Sequence, residues 1–397
     1  MNALQEKALP LSTDGYGVYV HVPFCASTCD FCAFYQQAPN REELLGYLEG
    51  IETEIAGMTL PPTAATAFLG GGTPGLLTAG DLERLCTAIR LLAGPEGFAE
   101  WTIELAPSTV KADKLRVLRD AGVNRISLGV QSFDERLLQA LGRRQSARQA
   151  REAYARIREA GFDSVNLDLM FAIPGQDRPA LEADLQAAVD LAPDHLSTYC
   201  LTFEEDTALY VRLSEGKLSI DADHEADLYR RAWDFLGERD FAQYEVSNFA
   251  RAGHASQHNL NTWRMGAWYG LGPAAASQWH CERFMNVPDL QRWRAGWARG
   301  EPERVEGVTL SDNVLLADRL IFGLRTVEGI PVPELKARFG EATVAAMLAW
   351  PLWSTWQDKG WLAPQRSSLR LTREGRLVAD RLGVDILQAQ EQTVCVK

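Results

Sequence analysis

The chain has 397 residues, of which 46% are hydrophobic, and it carries a formal net charge of −13. This length and composition are sufficient for one large hydrophobic core with a smaller appended domain. A nucleic-acid partner needs a basic surface to neutralise phosphates, so an acidic chain without a basic block argues against one. The N-terminus has neither a basic start nor an apolar stretch, and no apolar run is long enough to span a bilayer, so we expect a cytoplasmic protein.

Short apolar runs alternate with amphipathic stretches through the first half of the chain. The apolar runs predict strands near residues 17–22, 66–70, 102–105, 124–130, 165–170 and 196–201. The amphipathic stretches predict helices near residues 40–57, 78–92, 109–120, 146–160, 178–191 and 223–237. Six successive β-then-α units indicate a parallel sheet with helical crossovers. The predicted fold class is therefore α/β, and the predicted architecture is a partial (β/α)6 barrel.

Three cysteines within eight residues, Cys25, Cys29 and Cys32, follow the first predicted strand. Three thiolates on one loop can bind three irons of a cubane iron–sulfur cluster, and no fourth cysteine is near enough in sequence to bind the remaining iron. That iron is then open to a small ligand. A second interpretation stays open, because His21 and the three cysteines make a Cys3His set of the kind that binds zinc. The other four cysteines are scattered without a paired framework, which suits a reducing compartment, and we expect them to be core residues. They are Cys86, Cys200, Cys281 and Cys395.

Polar residues and glycines recur at the carboxyl ends of the predicted strands, where a parallel barrel places its binding groups. Gly70–Pro74 follows the second strand, Glu104 ends the third, Gln131 follows the fourth, and Asp168 ends the fifth. Glycine lets backbone groups approach a ligand without an intervening Cβ, and the carboxylates can accept hydrogen bonds from hydroxyl or amino groups. The planar guanidinium of Arg143 matches a carboxylate, although a solvated surface arginine is an equally good interpretation.

Six segments of the chain share a pattern with a known family: Tyr19–Cys25, the cysteine triad, Gly70–Pro74, Gly129–Phe133, Asn166–Asp168 and Tyr244–Phe249. They resemble the HemN/HemW branch of the radical S-adenosylmethionine (SAM) proteins nearly end to end. In that family the three cysteines bind a [4Fe-4S] cluster whose open iron chelates SAM, and the cluster reductively cleaves SAM to a 5′-deoxyadenosyl radical. The resemblance implies a [4Fe-4S] cluster on Cys25, Cys29 and Cys32.

The resemblance also implies the positions at which SAM lies. These are Tyr19, Phe31, Gly70, Gly71, Thr73, Glu104, Gln131, Arg143 and Asp168. The intervals between these residues match the spacing of the family.

Two departures from HemN, the oxygen-independent coproporphyrinogen III oxidase, favour the haem-chaperone side of this branch. HemN has a fourth cysteine two residues after the third, and Phe34 stands there in this chain. HemN also has a longer segment before its cysteine loop, whereas 24 residues precede the loop here. His258–Trp263 resembles the HNxxYW motif of HemW-type chaperones, with Thr262 in place of tyrosine and Ala276 where many relatives have a histidine. The resemblance makes His258 the predicted haem ligand.

Nine of the eleven tryptophans follow residue 260. Aromatic faces stack well on a macrocycle, but tryptophan is most often a core residue. We therefore expect most of these nine side chains to be buried and a minority to be available to a flat ligand.

The sequence predicts three units. A radical SAM partial barrel with the cluster loop covers residues 1–240, a barrel extension with the HNxxxW motif covers 241–305, and a HemN-type C-terminal domain covers 306–397. The last unit is predicted to be mainly helical and winged-helix-like.

The predicted function is a cytoplasmic haem chaperone that binds a [4Fe-4S] cluster, SAM and haem, and transfers haem to apo-haemoproteins. The resemblance also implies a reductant such as flavodoxin or ferredoxin, and it is compatible with peripheral membrane association. The alternatives are a radical SAM enzyme acting on a porphyrinogen, such as coproporphyrinogen III oxidase, or a HemN-like methyltransferase. Whether the chain is an enzyme stays open, and a structural zinc protein is the third class.

Overall fold

Twelve strands form one mixed sheet in the computed structural model, which describes residues 15–61, 63–364 and 367–394. The central strands are β1 (Tyr16–Val22), β2 (Ala64–Gly71), β3 (Glu100–Leu105), β4 (Arg125–Gln131), β5 (Ser164–Phe171) and β6 (His195–Cys200). They run parallel and in chain order. The crossover helices are α1 (Arg41–Gly57), α2 (Ala79–Arg90), α3 (Ala112–Ala121), α4 (Glu135–Ala140), α5 (Ala147–Glu159) and α6 (Arg178–Val189). The predicted partial (β/α)6 barrel is confirmed.

Two short helices of this half were not predicted. The first is α4, and the second is α7 (Ala208–Ser214), which lies before α8 (Ala222–Gly237). Both begin at a side chain that accepts a backbone hydrogen bond, Asp134 from Arg136 N and Thr207 from Tyr210 N. A helix of six or seven residues contains fewer than two turns, so its apolar residues show no repeating 3.6-residue pattern.

The sheet continues beyond the barrel on both edges. The elements that follow α8 are β7 (Ala242–Gln243), β8 (Asn248–Ala250), α9 (Gln257–Trp263), β9 (Trp268–Leu271), β10 (Ala276–Trp279), β11 (Glu282–Asn286), α10 (Leu290–Ala298) and β12 (Arg304–Thr309). Strand β8 pairs antiparallel with β6, and β9 pairs parallel with β1. Strands β10, β11 and β12 then follow β9 as antiparallel neighbours. The open barrel is therefore part of a longer curved sheet.

A buried carboxylate ties this extension to the barrel. Glu54 on α1 accepts hydrogen bonds from Gly272 N at 2.8 Å and from Asn286 Nδ2 at 2.9 Å. Burial raises the pKa of Glu54 to about 7, although both donors favour its charged form.

The last part of the chain is mainly helical and has its own apolar core. Its elements are α11 (Asp312–Gly323), β13 (Ile330–Pro331), α12 (Val332–Phe339), α13 (Glu341–Leu348), α14 (Leu352–Asp358), β14 (Ser368–Leu369), α15 (Arg373–Leu377) and α16 (Ala379–Val394). Strands β13 and β14 form a small antiparallel wing. Among the described residues, no helix is both long enough and apolar enough to cross a membrane.

Most of the late tryptophans are core residues, as expected. Five are buried: Trp293, Trp297, Trp350, Trp353 and Trp356. The other four are half-buried: Trp263, Trp268, Trp279 and Trp361. Of the scattered cysteines, Cys86 is buried and Cys200 and Cys281 are half-buried, while Cys395 lies outside the described residues.

Candidate functional site

The cysteine loop after β1 is held against the top of the barrel by backbone hydrogen bonds. Asp30 N donates to Leu141 O at 3.0 Å, and Leu209 N donates to Asp30 O at 2.9 Å. Phe31 packs against an apolar cluster that includes Leu137 and Leu141. These contacts attach the loop to α4 and α7, the two helices that the sequence did not predict.

The three thiols of this loop lie near the guanidinium group of Arg143, which follows α4. Cys25, Cys29 and Cys32 are half-buried. Burial raises the pKa of Cys25 and Cys32, whereas the nearby charge of Arg143 lowers both pKa values. Within the described part of the chain, Nε of Arg143 is buried and has no hydrogen-bond partner. A half-buried guanidinium with one buried, unpaired nitrogen near the thiols fits an anionic group, such as a thiolate-bound cluster with a carboxylate ligand.

His21 uses both ring nitrogens for contacts other than the thiols. Its Nε2 is 2.9 Å from the carbonyl oxygen of Tyr35, to which it donates, so Nδ1 accepts from the hydroxyl of Tyr19 at 3.2 Å. Among the residues that the structure describes, no three Cys, His, Asp or Glu side chains converge on one metal position. This finding applies to a cluster and to zinc alike, and the Cys3His zinc alternative loses support because both ring nitrogens of His21 have other contacts.

The two glycines that end β2 allow a close approach to β1 and β3. A Cβ atom on Gly70 would lie 2.7 Å from Oε2 of Glu104, and one on Gly71, which has φ +94°, would lie 2.4 Å from Nδ1 of His21. Thr73 N donates to Phe24 O at 2.7 Å, and the Thr73 hydroxyl is 3.4 Å from Sγ of Cys25. The glycine segment thus lies between the cysteine loop and the carboxylate of β3.

Glu104 and Asp168 are two acids of the barrel whose charges interact. Burial, followed by the charge of Asp168, raises the pKa of Glu104 to about 8. Burial also raises the pKa of Asp168, although Ser127 Oγ and Asn166 Nδ2 donate to its two oxygens at 2.9 and 2.7 Å. Poorly solvated acids that repel each other favour a ligand with positive charge or hydrogen-bond donors. The sulfonium, ammonium and ribose hydroxyl groups of SAM supply both.

Three further predicted residues lie beside these acids and the loop. Gln131 and Arg143 approach the same glycine, because a Cβ on Gly129 would lie 3.3 Å from Nε2 of Gln131 and 3.4 Å from Nη2 of Arg143. Gln131 is held at φ +69°, a strained backbone conformation of the kind that clusters at binding sites. Burial and the charge of Glu104 raise the pKa of Tyr19, which places this ring near the same acid.

His258 is not part of this group. It is 7% exposed, and its Nδ1 is 2.9 Å from the hydroxyl of Thr66, near the start of β2. A Cβ on Gly17, near the start of β1, would lie 3.1 Å from its ring. Since the cysteines follow the other end of β1, His258 lies at the opposite end of the barrel interior. The structure thus brings the predicted cluster and SAM residues together and separates them from the predicted haem ligand.

A layer of polar side chains lies below Asp168, and sequence reasoning assigned it no role, although it quoted the segments that contain Asn166 and Tyr244. Its members are Ser127, Asn166, His195, Ser197 and Tyr244. The available signal was the alternation of polar residues along strands β4, β5 and β6 at positions that face the barrel interior.

Comparison with known proteins agrees with the fold. Residues 19–188 match the model of the radical SAM superfamily, and residues 310–378 match that of the HemN C-terminal domain. The fold is similar to that of coproporphyrinogen III oxidase (HemN) from Escherichia coli, with a TM-score of 0.79, 22% identity, and coverage of 96% of this chain and 92% of that one. Superfamily membership implies a [4Fe-4S] cluster and SAM as cofactors.

Curated relatives match the chain over nearly its whole length. The heme chaperone HemW of Bacillus subtilis is 31% identical over 371 residues, which cover 92% of this chain and 97% of that protein. The heme chaperone HemW of Mycobacterium tuberculosis (strain H37Rv) is 34% identical over 382 residues, which cover 94% of each chain. The chain therefore belongs to the HemW family of radical SAM proteins.

Proposed function

We propose that this protein is a haem chaperone that binds a [4Fe-4S] cluster, SAM and haem, and transfers haem to apo-haemoproteins. The observation that carries the proposal is its similarity to proteins named heme chaperones over 97% of the length of one of them. Phe34 stands where HemN has its fourth cysteine, so the cluster loop has no additional thiolate at this position. Phe34 is 66% exposed.

Cys25, Cys29 and Cys32 are the proposed cluster ligands. The guanidinium of Arg143, whose buried Nε has no partner among the described residues, is suited to the carboxylate of SAM, and Gln131 lies beside it. When bound, the cluster supplies an electron to SAM, and the residues of this chain bind and orient SAM.

The remaining contacts proposed for SAM come from the ends of the first five strands. Glu104 and Asp168 offer acceptors to the ribose hydroxyls and the amino group, and the backbone at Gly70 and Gly71 approaches the amino end. Three residues complete the proposed site: Tyr19, on which the charge of Glu104 acts, Phe31, which packs under the loop, and Thr73, which lies against Cys25.

His258 is the proposed haem ligand, and its position sets a condition on binding. Burial lowers the pKa of His258 to about 4, so the ring is neutral at pH 7 and retains a lone pair for iron. The ring of His258 is buried and bonded to Thr66, so α9 must move away from the amino-terminal ends of β1 and β2 before iron can reach the ring. The half-buried Trp263, at the end of α9, then becomes available for stacking on the macrocycle.

The proposal also includes a three-unit chain divided near residues 240 and 305, a cytoplasmic location, and an electron donor such as flavodoxin or ferredoxin. Two hydrogen bonds join the last unit to α8 and β7. Arg373 donates to Asp234 of α8, and Arg376 donates to Gln243 of β7.

The test is anaerobic reconstitution followed by haem titration and a SAM-cleavage assay, with and without coproporphyrinogen III. We expect haem to bind and to pass to an apo-haemoprotein, while the porphyrinogen is not consumed. His258→Ala should weaken haem binding and change the visible spectrum but leave cluster content and SAM affinity unchanged. His254→Ala, four residues earlier and outside the motif, is the matched control. A parent protein that binds no haem and consumes the porphyrinogen would be the enzyme alternative.

A further inference from the structure

A chain of hydrogen bonds runs through the barrel interior from Asp168 to the first turn of α9. Asn166 Nδ2 donates to Asp168 Oδ1 at 2.7 Å, and His195 Nδ1 is 2.7 Å from Asn166 Oδ1. On the other side of the ring, His195 Nε2 is 2.8 Å from the hydroxyl of Tyr244. Ser256 N donates to that same hydroxyl at 3.4 Å. The chain therefore joins the two ends of the barrel interior.

The direction of each donor in this chain follows from the Asp168 carboxylate, which can only accept when it is ionised. The amide nitrogen of Asn166 must face that carboxylate, so the amide oxygen faces His195. An amide oxygen also only accepts, and His195 must therefore carry its proton on Nδ1. Nε2 is then an acceptor, to which the Tyr244 hydroxyl donates. Every donor points toward Asp168, and aligned donors of this kind strengthen one another.

The middle of the chain is sealed from water. His195 is 1% exposed and Asn166 is 4% exposed. Burial, followed by the charges of Arg125 and His254, holds the pKa of His195 well below its ordinary value, so the neutral ring required above is the stable form. A buried polar group that loses its partner has no water to replace it, so removal of one member is felt by its neighbours.

The far end of this hydrogen-bond chain lies at the N-terminus of α9. Ser256 is the residue that caps this helix, and its hydroxyl donates to Glu100 Oε1 at 3.0 Å. The carboxylate of Glu100 also accepts from Gln257 N and His258 N, each at 2.9 Å. A carboxylate at the first turn satisfies backbone donors and complements the helix dipole. Ser256 thus belongs both to the cap of α9 and to the hydrogen-bond chain that leads to Asp168.

We propose that His195 is a positioning residue that couples the SAM end of the barrel to α9. Through Asn166 it orients the acceptor oxygens of Asp168, and through Tyr244 it holds the first turn of α9. A ligand that donates to Asp168 keeps that carboxyl ionised and fixes its orientation, which orders the chain and with it the helix. The inference rests on the proposed SAM contact at Asp168, and it makes the release of α9 depend on SAM.

The test is a SAM titration combined with amide hydrogen exchange of residues 256–263 in the reconstituted protein. In the parent, SAM should slow exchange in α9. Tyr244→Phe removes only the hydroxyl, so SAM affinity should stay within about twofold while the slowing of exchange in α9 is lost. His195→Phe breaks both links, and SAM affinity should fall by roughly three- to tenfold, as expected for one net hydrogen bond.

Two further variants separate positioning from general packing. His195→Gln should restore part of both effects, because a glutamine amide can donate to Asn166 and accept from Tyr244. Thr198→Val alters a buried residue of the same strand that points to the other face and donates to Ser247 O. It should change neither SAM affinity nor exchange in α9.

Full SAM protection of α9 in Tyr244→Phe, or no protection in a parent that binds SAM, overturns the inference. A parent that does not bind SAM contradicts the proposed function instead. In that case the hydrogen-bond chain is tested without ligand, since α9 should exchange faster in His195→Phe and Tyr244→Phe than in Thr198→Val. Equal exchange in all three overturns the inference on its own.

Discussion

The carboxyl of Glu104 is a group that the fold holds in an unfavourable environment. Burial and the charge of Asp168 raise its pKa to about 8. An unfolded glutamate has a pKa of about 4.3. Between these two pH values the folded chain keeps a proton that the unfolded chain has lost, so the free energy of unfolding decreases as the pH rises through that window. Replacement of Glu104 by glutamine removes this pH-dependent loss and keeps an acceptor oxygen.

The magnitude follows from the two pKa values. Each pH unit between them corresponds to about 1.36 kcal/mol, so the loss at pH 8 is at most about 5 kcal/mol. Glu104 is only half-buried, however, and contact with solvent screens the effect. We therefore expect the Glu104→Gln variant to gain about 2 kcal/mol over the parent at pH 8 and much less near pH 5.

Thermal unfolding of the cluster-free parent and variant, followed by circular dichroism at both pH values, measures this difference. A gain of 2 kcal/mol corresponds to a melting temperature roughly 4 °C higher for a domain of this size. Glu42→Gln, at an exposed position on α1, is the control and should show no pH-dependent difference. A Glu104→Gln variant that differs from the parent equally at both pH values, or is less stable at pH 8, refutes the reasoning.

Three further predictions concern the cofactors. Cys29→Ser should lose the cluster in iron and sulfide analysis, because a hydroxyl is a poor ligand for iron, whereas Cys86→Ser should retain it. Full iron content in Cys29→Ser would contradict the ligand assignment. Asp168→Ala should keep the cluster but bind SAM roughly tenfold to a hundredfold more weakly in calorimetric titration, as expected for a charge-assisted hydrogen bond. SAM affinity of the parent should rise with pH and level off above about pH 8, because cationic SAM favours ionised Glu104. A pH-independent affinity in the parent, or the same pH dependence in Glu104→Gln, would count against that contact.

Local patterns in the sequence determined the barrel. All six predicted strands begin and end within two residues of the observed ones, from Tyr16–Val22 to His195–Cys200. Strand and helix periodicities need only neighbouring residues, so they can be recognised without tertiary information. The cysteine loop and the strand-end residues were found for the same reason, because a parallel barrel gathers the carboxyl ends of its strands at one edge. The roles of the individual SAM residues remain predictions.

Only the tertiary structure decided which side chains share an environment. The sequence left Arg143 equally consistent with a solvated residue, whereas hydrogen bonding of the Leu141 turn to Asp30 brings its guanidinium beside the thiols. The distance in sequence between His258 and the cysteine loop likewise did not reveal that they lie at opposite ends of the barrel interior. The physical reason is that these contacts depend on strand register and on loop docking, which set which residues of distant segments meet. The buried link from His195 to Asp168 exists only because neighbouring strands align their inward-facing side chains.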